Sequence, residues 1–114
     1  MAFFHFLFGK NEPSPNNVEI LPSTEFLKAA IDKGEQLIDV RTYYEYDKEH
    51  INGAINIDWF QPSQFNRAIR KIDKERPVYV YCRTGNRSQK AARKIAELGF
   101  VRVFDLKGGI NAAK

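Results

Sequence analysis

The chain holds one cysteine, and the residues around it are those of a nucleophile's setting. Val78-Tyr79-Val80-Tyr81 is an apolar, β-favouring run that ends at Cys82. Arg83-Thr84-Gly85-Asn86-Arg87-Ser88 follows as a short polar loop, and a helical pattern comes next. A thiol between a strand end and a helix N-terminus sits where backbone amides and the helix dipole favour negative charge. The thiolate is the reactive form. A cysteine with a pKa of ~8.5 is about 3% thiolate at pH 7, and one at ~6 is about 90% thiolate. That difference corresponds to roughly 3.4 kcal/mol, which several amides and two cations can supply. Arg83 and Arg87 are the cations. Gly85 offers the positive φ that lets successive amides curl around the sulfur. Ser88 is placed to cap the helix, and Asn86 suits left-handed geometry or an amide contact. The bland reading is a small buried hydrophobe, as a lone cysteine after a strand often is. The two arginines, the glycine and the loop's polarity favour the nucleophile.

A cysteine so placed needs a sheet to carry it. Five runs read as strands: Val18-Glu19-Ile20, Leu37-Ile38-Asp39-Val40, Gly53 to Ile57, Val78 to Tyr81, and Val101 to Leu106. Helical patterns alternate with them. Ser23 reads as an N-cap ahead of the stripe Phe26, Leu27, Ala30 and Ile31, with Gly34 as the stop. Thr42-Tyr43-Tyr44-Glu45 has the spacing of a capping box. Pro62 to Ile72 carries Phe65, Ile69 and Ile72 at helical spacing. Ser88 to Leu98 places Ala91, Ala92, Ile95 and Leu98 on one side, with Gly99 as the stop. Lys107-Gly108-Gly109-Ile110 reads as a tight turn into a terminal helix. Strands alternating with helices imply an α/β domain with a largely parallel sheet. Ligands in such sheets bind at the carboxyl ends of the strands, where Cys82 stands.

Composition sets the outer bounds. At 114 residues, with 43% hydrophobic and 28% charged residues, the chain has the make-up of one ordinary globular domain. Its net charge of +4 comes from basic residues mixed with acidic ones. That balance does not point to nucleic acid and suits small anionic substrates. A single cysteine rules out an internal disulfide, so an oxidising compartment is not required and a cytoplasmic location is expected. With only His5 and His50 besides Cys82, no metal-site spacing is present, and no metal is expected. Ala-Phe-Phe-His-Phe-Leu-Phe at 2–8 is far short of the ~20 apolar residues that span a bilayer. It reads as an apolar tab that packs on the domain or a second copy, in preference to membrane contact. Residues 9–17 read as its linker, so residues 1–17 stand apart from a domain at 18–114.

Four stretches together resemble a single-domain rhodanese. They are L-I-D-V-R at 37–41, E-Y-D-K-E-H-I-N-G-A-I-N-I at 45–57, V-Y-V-Y-C-R-T-G-N-R-S at 78–88 and L-G-F-V-R-V-F-D-L-K-G-G-I at 98–110. The likeness covers roughly residues 18 to 111. It implies a rhodanese-like α/β fold, with a mainly parallel five-stranded sheet and helices on both faces. It also implies a sulfurtransferase in which Cys82 takes a sulfane sulfur from a small anionic donor such as thiosulfate. Cys82 would hold the sulfur as a persulfide and pass it to cyanide, a thiol or a protein acceptor, with no cofactor. Arg83, Thr84, Gly85, Asn86, Arg87 and Ser88 would form the substrate-binding loop.

By the same resemblance, Asp39 and Arg41 match a stretch at a strand end near the loop. Asp39 is placed to bond loop amides or pair with an arginine, the alternative being a plain strand-end ion pair. Glu45 and His50 match positions that are mostly structural, with His50 read as a satisfied buried histidine. Four residues separate Cys82 from Arg87. The phosphatases and arsenate reductases of this fold use a loop one residue longer, so the length here favours sulfur over phosphorus chemistry. The chain departs from the family pattern at Glu49, at Asp58-Trp59, and at its end, which lacks an aromatic residue after the Gly-Gly turn. None of these touches the loop. The alternative function is a non-catalytic binding module on the same fold, with the aromatic tab as its docking feature.

Overall fold

The computed structural model describes residues 16–114, and the tab at 2–8 lies outside them. Five strands form one sheet: β1 (Val18–Leu21), β2 (Gln36–Asp39), β3 (Ile55–Asn56), β4 (Val78–Tyr81) and β5 (Val103–Leu106). Their order is β1-β5-β4-β2-β3, and all four pairings are parallel. β4 is therefore central, and all four of its residues are buried. A parallel sheet covered on both faces demands such continuous apolar strands.

The helices are α1 (Ser23–Leu27), α2 (Tyr43–Lys48), α3 (Pro62–Ile69), α4 (Asn86–Glu97) and α5 (Gly109–Ala113). Strand alternation divides the core in two. Val78, Val80 and Cys82 point to one face, where Phe65 and Ile69 of α3 and Ala91, Ala92 and Ile95 of α4 cover them. Tyr79 and Tyr81 point to the other, against Phe26, Ala30 and Ile110. Asp105 shares β5 parity with Val103 and so faces α4. Asp39 shares β2 parity with Leu37 and faces away from α4.

Most elements lie where the sequence places them, with informative differences at their ends. Ser23 is the first helical residue rather than the cap, a role that falls to Pro22 without a side-chain bond. After Leu27 the chain widens into a π-helical turn at Lys28–Asp32, ahead of Gly34 at φ 63°. That widening leaves Ile31 40% exposed, off the expected stripe. α3 ends at Ile69, short of Ile72, and β3 pairs over only two residues. The capping box at Thr42 is present in both directions, with the Thr42 hydroxyl accepting from the Glu45 amide and Glu45 accepting from the Thr42 amide. Asn17 ties the chain's entry to the domain, its side-chain amide donating to Phe100 O at 2.7 Å. No helix among the described residues is long and apolar enough to cross a membrane.

Candidate active site

Cys82 follows directly on β4 and is 1% exposed. Two loop amides donate to its Sγ, Gly85 N at 3.1 Å and Ser88 N at 3.3 Å, while Ser88 Oγ lies at 3.4 Å. This geometry follows from the way α4 begins. Its N-cap is Gly85, at φ 105°, which has no side chain to accept the free first-turn amides. The cysteine sulfur takes the amide of the third helical residue instead. Cys82 thus caps α4 from three residues before its N-cap. Ser88, expected as the cap, is that third residue, fully buried, and its hydroxyl donates to Gly85 O at 3.4 Å. Asn86 is the first helical residue, with no left-handed geometry; the only positive φ in the loop is at Gly85. Two amides, not a full ring of them, face the sulfur.

The loop is held from behind by the last turn of the fold. Ile110 N donates to Cys82 O at 2.9 Å and Asn111 N to Arg83 O at 3.1 Å. Gly109, at φ 67°, lies so close to the Arg83–Thr84 peptide that a Cβ there would collide with its backbone. The Gly108-Gly109 pair is therefore what lets α5 dock against the loop, a role the turn reading did not contain.

Electrostatics is organised by a residue the sequence reading left among the structural ones. Glu45, on α2, accepts from Arg87 at 2.7 and 3.1 Å and from Arg83 at 2.8 and 3.0 Å. Arg87, then burial opposing it, then the Thr42 amide and Arg83 set its ionisation, and the carboxyl lies well below the usual carboxylate range. Arg87 is raised in turn, by Glu45 first, with the Cys82 charge contributing. The guanidinium of Arg87 also lies over the exposed ring of Phe60, 5.4 Å from its centroid. The two loop arginines are therefore not free cations. They form a cluster with Glu45 whose formal charge is +1, with Arg83 the more exposed arm. The capping box marks Glu45 as the start of a helix, but that this helix opens beside the loop follows from the pairing of β2 with β4.

Thr84 and Asn86 are exposed. They line a cavity of about 290 Å³ with Gly85, Gln89, Asp105 and Lys107. A second cavity, about 470 Å³, lies beside β3 between Tyr43, Asp58 and Gln64 and has no loop residue in its lining.

Asp39 and Arg41 are on the other face of the sheet from Cys82. Asp39 bonds no loop amide. Its carboxylate accepts from Arg41 Nη2 at 2.8 Å and from the Tyr81 hydroxyl at 2.9 Å, and Ile51 N donates to that hydroxyl at 3.0 Å. Burial opposes the Arg41 charge, yet Asp39 leaves its pKa raised. Burial raises Tyr81 as well. Arg41 further donates to Glu49 O at 2.6 Å. This is the strand-end ion pair, fixing the backbone that leads into α2 and hence into Glu45. His50 is exposed, contrary to the buried reading; it stacks on Tyr46, and its Nδ1 lies 2.8 Å from Tyr46 O. Among the described residues no cluster of side chains could hold a metal ion.

A five-stranded parallel α/β sheet with a sulfur-capped helix after its central strand meets its match in one family model. That model, the Rhodanese-like domain, covers residues 23–114, and the chain belongs to this family. A putative sulfur carrier protein of Bacillus subtilis, YrkF, is 32% identical over 94% of this chain and 58% of its own length. The thiosulfate sulfurtransferase GlpE of Coxiella burnetii is 37% identical over 68% of this chain and 70% of its own. The adenylyltransferase and sulfurtransferase UBA4 of Meyerozyma guilliermondii is 38% identical over 66% of this chain. The chain spans 19% of that protein and little more than half of the Bacillus subtilis one. Among solved structures, a Bacillus anthracis CoADR-RHD chain superposes with a TM-score of 0.73 at 27% identity, over 84% of this chain and 16% of that one.

Proposed function

We propose that the protein is a sulfurtransferase working through a persulfide on Cys82. The carrying observation is the sulfur at the mouth of α4, with two amides on it and the Glu45-Arg83-Arg87 cluster beside it. Relatives named as sulfurtransferases support the class. In the first step the Cys82 thiolate attacks the outer sulfur of thiosulfate. The new bond is Cys82 Sγ–S; the old S–S bond breaks, and its electron pair leaves with sulfite. The persulfide keeps one negative charge and sulfite two, so charge balances. In the second step cyanide, a small thiolate or a protein thiol attacks the terminal sulfur and restores the Cys82 thiolate.

The chain's own groups fit both steps. The Gly85 and Ser88 amides face the attacking sulfur and offer donors as negative charge moves along the S–S axis. Arg83, half exposed, is the arm that meets an incoming anion, and Glu45 fixes Arg87 against displacement. Because the chain has one cysteine, the sulfur leaves to another molecule. A thiol that must stay reduced fits a compartment such as the cytoplasm.

The test is intact-mass spectrometry after incubation with thiosulfate. Wild type gains about 32 Da, one sulfur, and loses it on cyanide addition. Cys82→Ser gains nothing. A wild-type chain that takes no sulfur from thiosulfate or from a small persulfide refutes the mechanism and leaves the fold as a binding module.

A further inference from the structure

The helices on the two faces of the sheet differ in charge. α3 and α4, which cover the Cys82 face, carry Arg67, Arg87, Lys90, Arg93 and Lys94 against one carboxylate, Glu97. α1 and α2, on the other face, carry Glu25, Glu45 and Asp47 against Lys48. Spacing gives the basic side a direction. Arg87, Lys90 and Lys94 stand at i, i+3 and i+7 on α4, so they share one side of the helix over about 10 Å. Arg87 begins that line at the sulfur loop, where its charge is shared with Glu45. Among the described residues, Lys90 and Lys94 have no ion-pair partner.

An apolar groove of about 390 Å³ opens beside this line, lined by Trp59, Phe60, Pro62, Phe65, Asn66 and Lys94. Trp59 and Phe65 meet edge to face, 5.1 Å between ring centroids, so its aromatic lining is braced. Phe60 joins the groove to the active site, because its ring is 59% exposed and lies under the Arg87 guanidinium. Asp58 sets the turn that carries it, its Oδ1 accepting from the Phe60 amide at 2.8 Å. One continuous surface therefore holds the Cys82 loop, an apolar slot and a row of cations. The slot suits a large apolar side chain, and the cations suit carboxylates. Nucleic acid fits less well. Of the groove's three rings only Phe60 is exposed, so bases have a single stacking platform and phosphates leave the slot unfilled. A sulfur on Cys82, itself 1% exposed, leaves only to a group that comes to the loop.

We propose that this surface docks a protein sulfur acceptor through an acidic segment. The segment lays carboxylates along Arg87, Lys90 and Lys94, seats a large apolar side chain between Trp59, Phe60 and Phe65, and brings its thiol to Cys82. Transfer rests on the persulfide function proposed above, whereas docking needs no sulfur. In the transfer, the acceptor thiolate attacks the outer sulfur of the Cys82 persulfide. A new S–S bond forms on the acceptor, the Cys82 Sγ–S bond breaks, and its electron pair returns to Cys82 as the thiolate. The distance of about 10 Å from Arg87 to Lys94 is spanned by about three extended residues, which sets the separation of thiol and apolar anchor.

The probes are capped peptides: Cys-Glu-Glu-Phe-Glu, its basic counterpart Cys-Lys-Lys-Phe-Lys, and Cys-Glu-Glu-Ala-Glu without the anchor. Binding to the full chain is read from the emission of Trp59, its single tryptophan, with serine in place of the peptide cysteine. Transfer is read as loss of the Cys82 persulfide by intact mass in a single turnover. At low salt the acidic peptide should take sulfur about tenfold faster than the basic one and about threefold faster than the alanine form. The first ratio should fall towards one in about 1 M salt, where screening acts within about 3 Å. Neighbouring charges also alter the peptides' own thiols, so Lys90→Glu/Lys94→Glu is the internal control. It should lower the acidic-to-basic ratio by about tenfold and abolish the Trp59 response, with loading by saturating thiosulfate unchanged. Equal responses to all three peptides, or a ratio that the double variant leaves unmoved, overturn the proposal. So does a Trp59 response to phosphatidylglycerol vesicles or to a single-stranded oligonucleotide with none to the acidic peptide. Emission that changes without peptide when Phe3, Phe4, Phe6 and Phe8 are replaced by serine gives the groove to residues 2–8. Emission that follows protein concentration gives it to a second copy, and either result is refutation. The expected Trp59 pattern in a chain that forms no persulfide would keep the docking surface and remove the function; persulfide formation with flat ratios would do the reverse.

Discussion

Glu45→Gln is the substitution that asks most of the site's electrostatics. The wild-type carboxylate accepts four bonds from two guanidinium groups, with its side chain 11% exposed and that of Arg87 19% exposed. Glutamine keeps one acceptor and turns an NH₂ donor towards the arginines. The Arg87 arm, mostly out of water, is worth about 2 kcal/mol as a charge-assisted pair. The Arg83 arm, half exposed, adds at most about 1 kcal/mol after solvent screening. A loss of about 2–3 kcal/mol at pH 7 lowers Tm by on the order of 10–20 °C in a domain of this size. The pH dependence has a definite sign. The folded-state pKa of Glu45 is depressed, so its contribution is fully present above the unfolded value of about 4.5 and fades as pH falls below it. Each unit below that point removes about 1.4 kcal/mol of the difference between wild type and Glu45→Gln. Urea titrations at pH 7, 5, 4 and 3 measure it. A difference under about 0.5 kcal/mol at pH 7, or one that does not shrink between pH 5 and 3, would refute the account of Glu45 as the anchor of both arginines.

Other expectations are simpler. Tyr81→Phe leaves the Ile51 amide unpaired and takes a donor from Asp39, so urea unfolding should show a loss of about 1–3 kcal/mol with Cys82 alkylation little changed, because the site is on the other face. Gly109→Ala puts a Cβ into the Arg83–Thr84 backbone at a positive φ, and thiosulfate loading of Cys82 should fall by about tenfold or more in protein that remains folded by circular dichroism. Asp105→Asn should also change stability, with the sign opposite to Glu45. The raised pKa means wild type loses stability as pH climbs from about 4 to about 6 and stays at that lower level above. The variant should gain up to about 3 kcal/mol over wild type at pH 7 and nothing at pH 3.5, again by urea titration.

The legible part of this protein was whatever depends on near neighbours in the chain. Strand parity, the Gly34 and Gly99 stops and the Thr42 capping box involve residues within four positions of one another. The amides around the Cys82 sulfur were legible for the same reason, since Cys82, Gly85 and Ser88 span seven residues. What went unread depends on strand order. Glu45 meets Arg83 and Arg87 across about 40 residues of sequence because β2 and β4 are adjacent, and nothing in a single sequence says so. Gly109 meets Arg83 because β5 is the other neighbour of β4. Of the roles left open for Asp39, the fold selects the ion pair with Arg41, because strand parity sends the carboxylate to the face opposite Cys82.

The same distinction bears on what the loop contributes by itself. In the sequence, Arg83 and Arg87 read as two permanent positive charges suited to an anionic donor. In the fold, the carboxylate of a neighbouring element has already taken both. The loop therefore meets an anion with a surplus of one charge rather than two; it offers one half-exposed guanidinium, a second held rigid, and two amides fixed by the start of α4. Rigidity of that kind favours charge that appears during reaction over charge already present in the bound donor, because fixed donors need no reorganisation when the sulfur's charge moves. On this argument, loosening the cluster by Glu45→Gln should cost kcat for thiosulfate while leaving KM unchanged or lower, since the freed arginines bind the ground-state dianion at least as well. A variant with unaltered kcat and a raised KM would mean that the cluster serves binding alone.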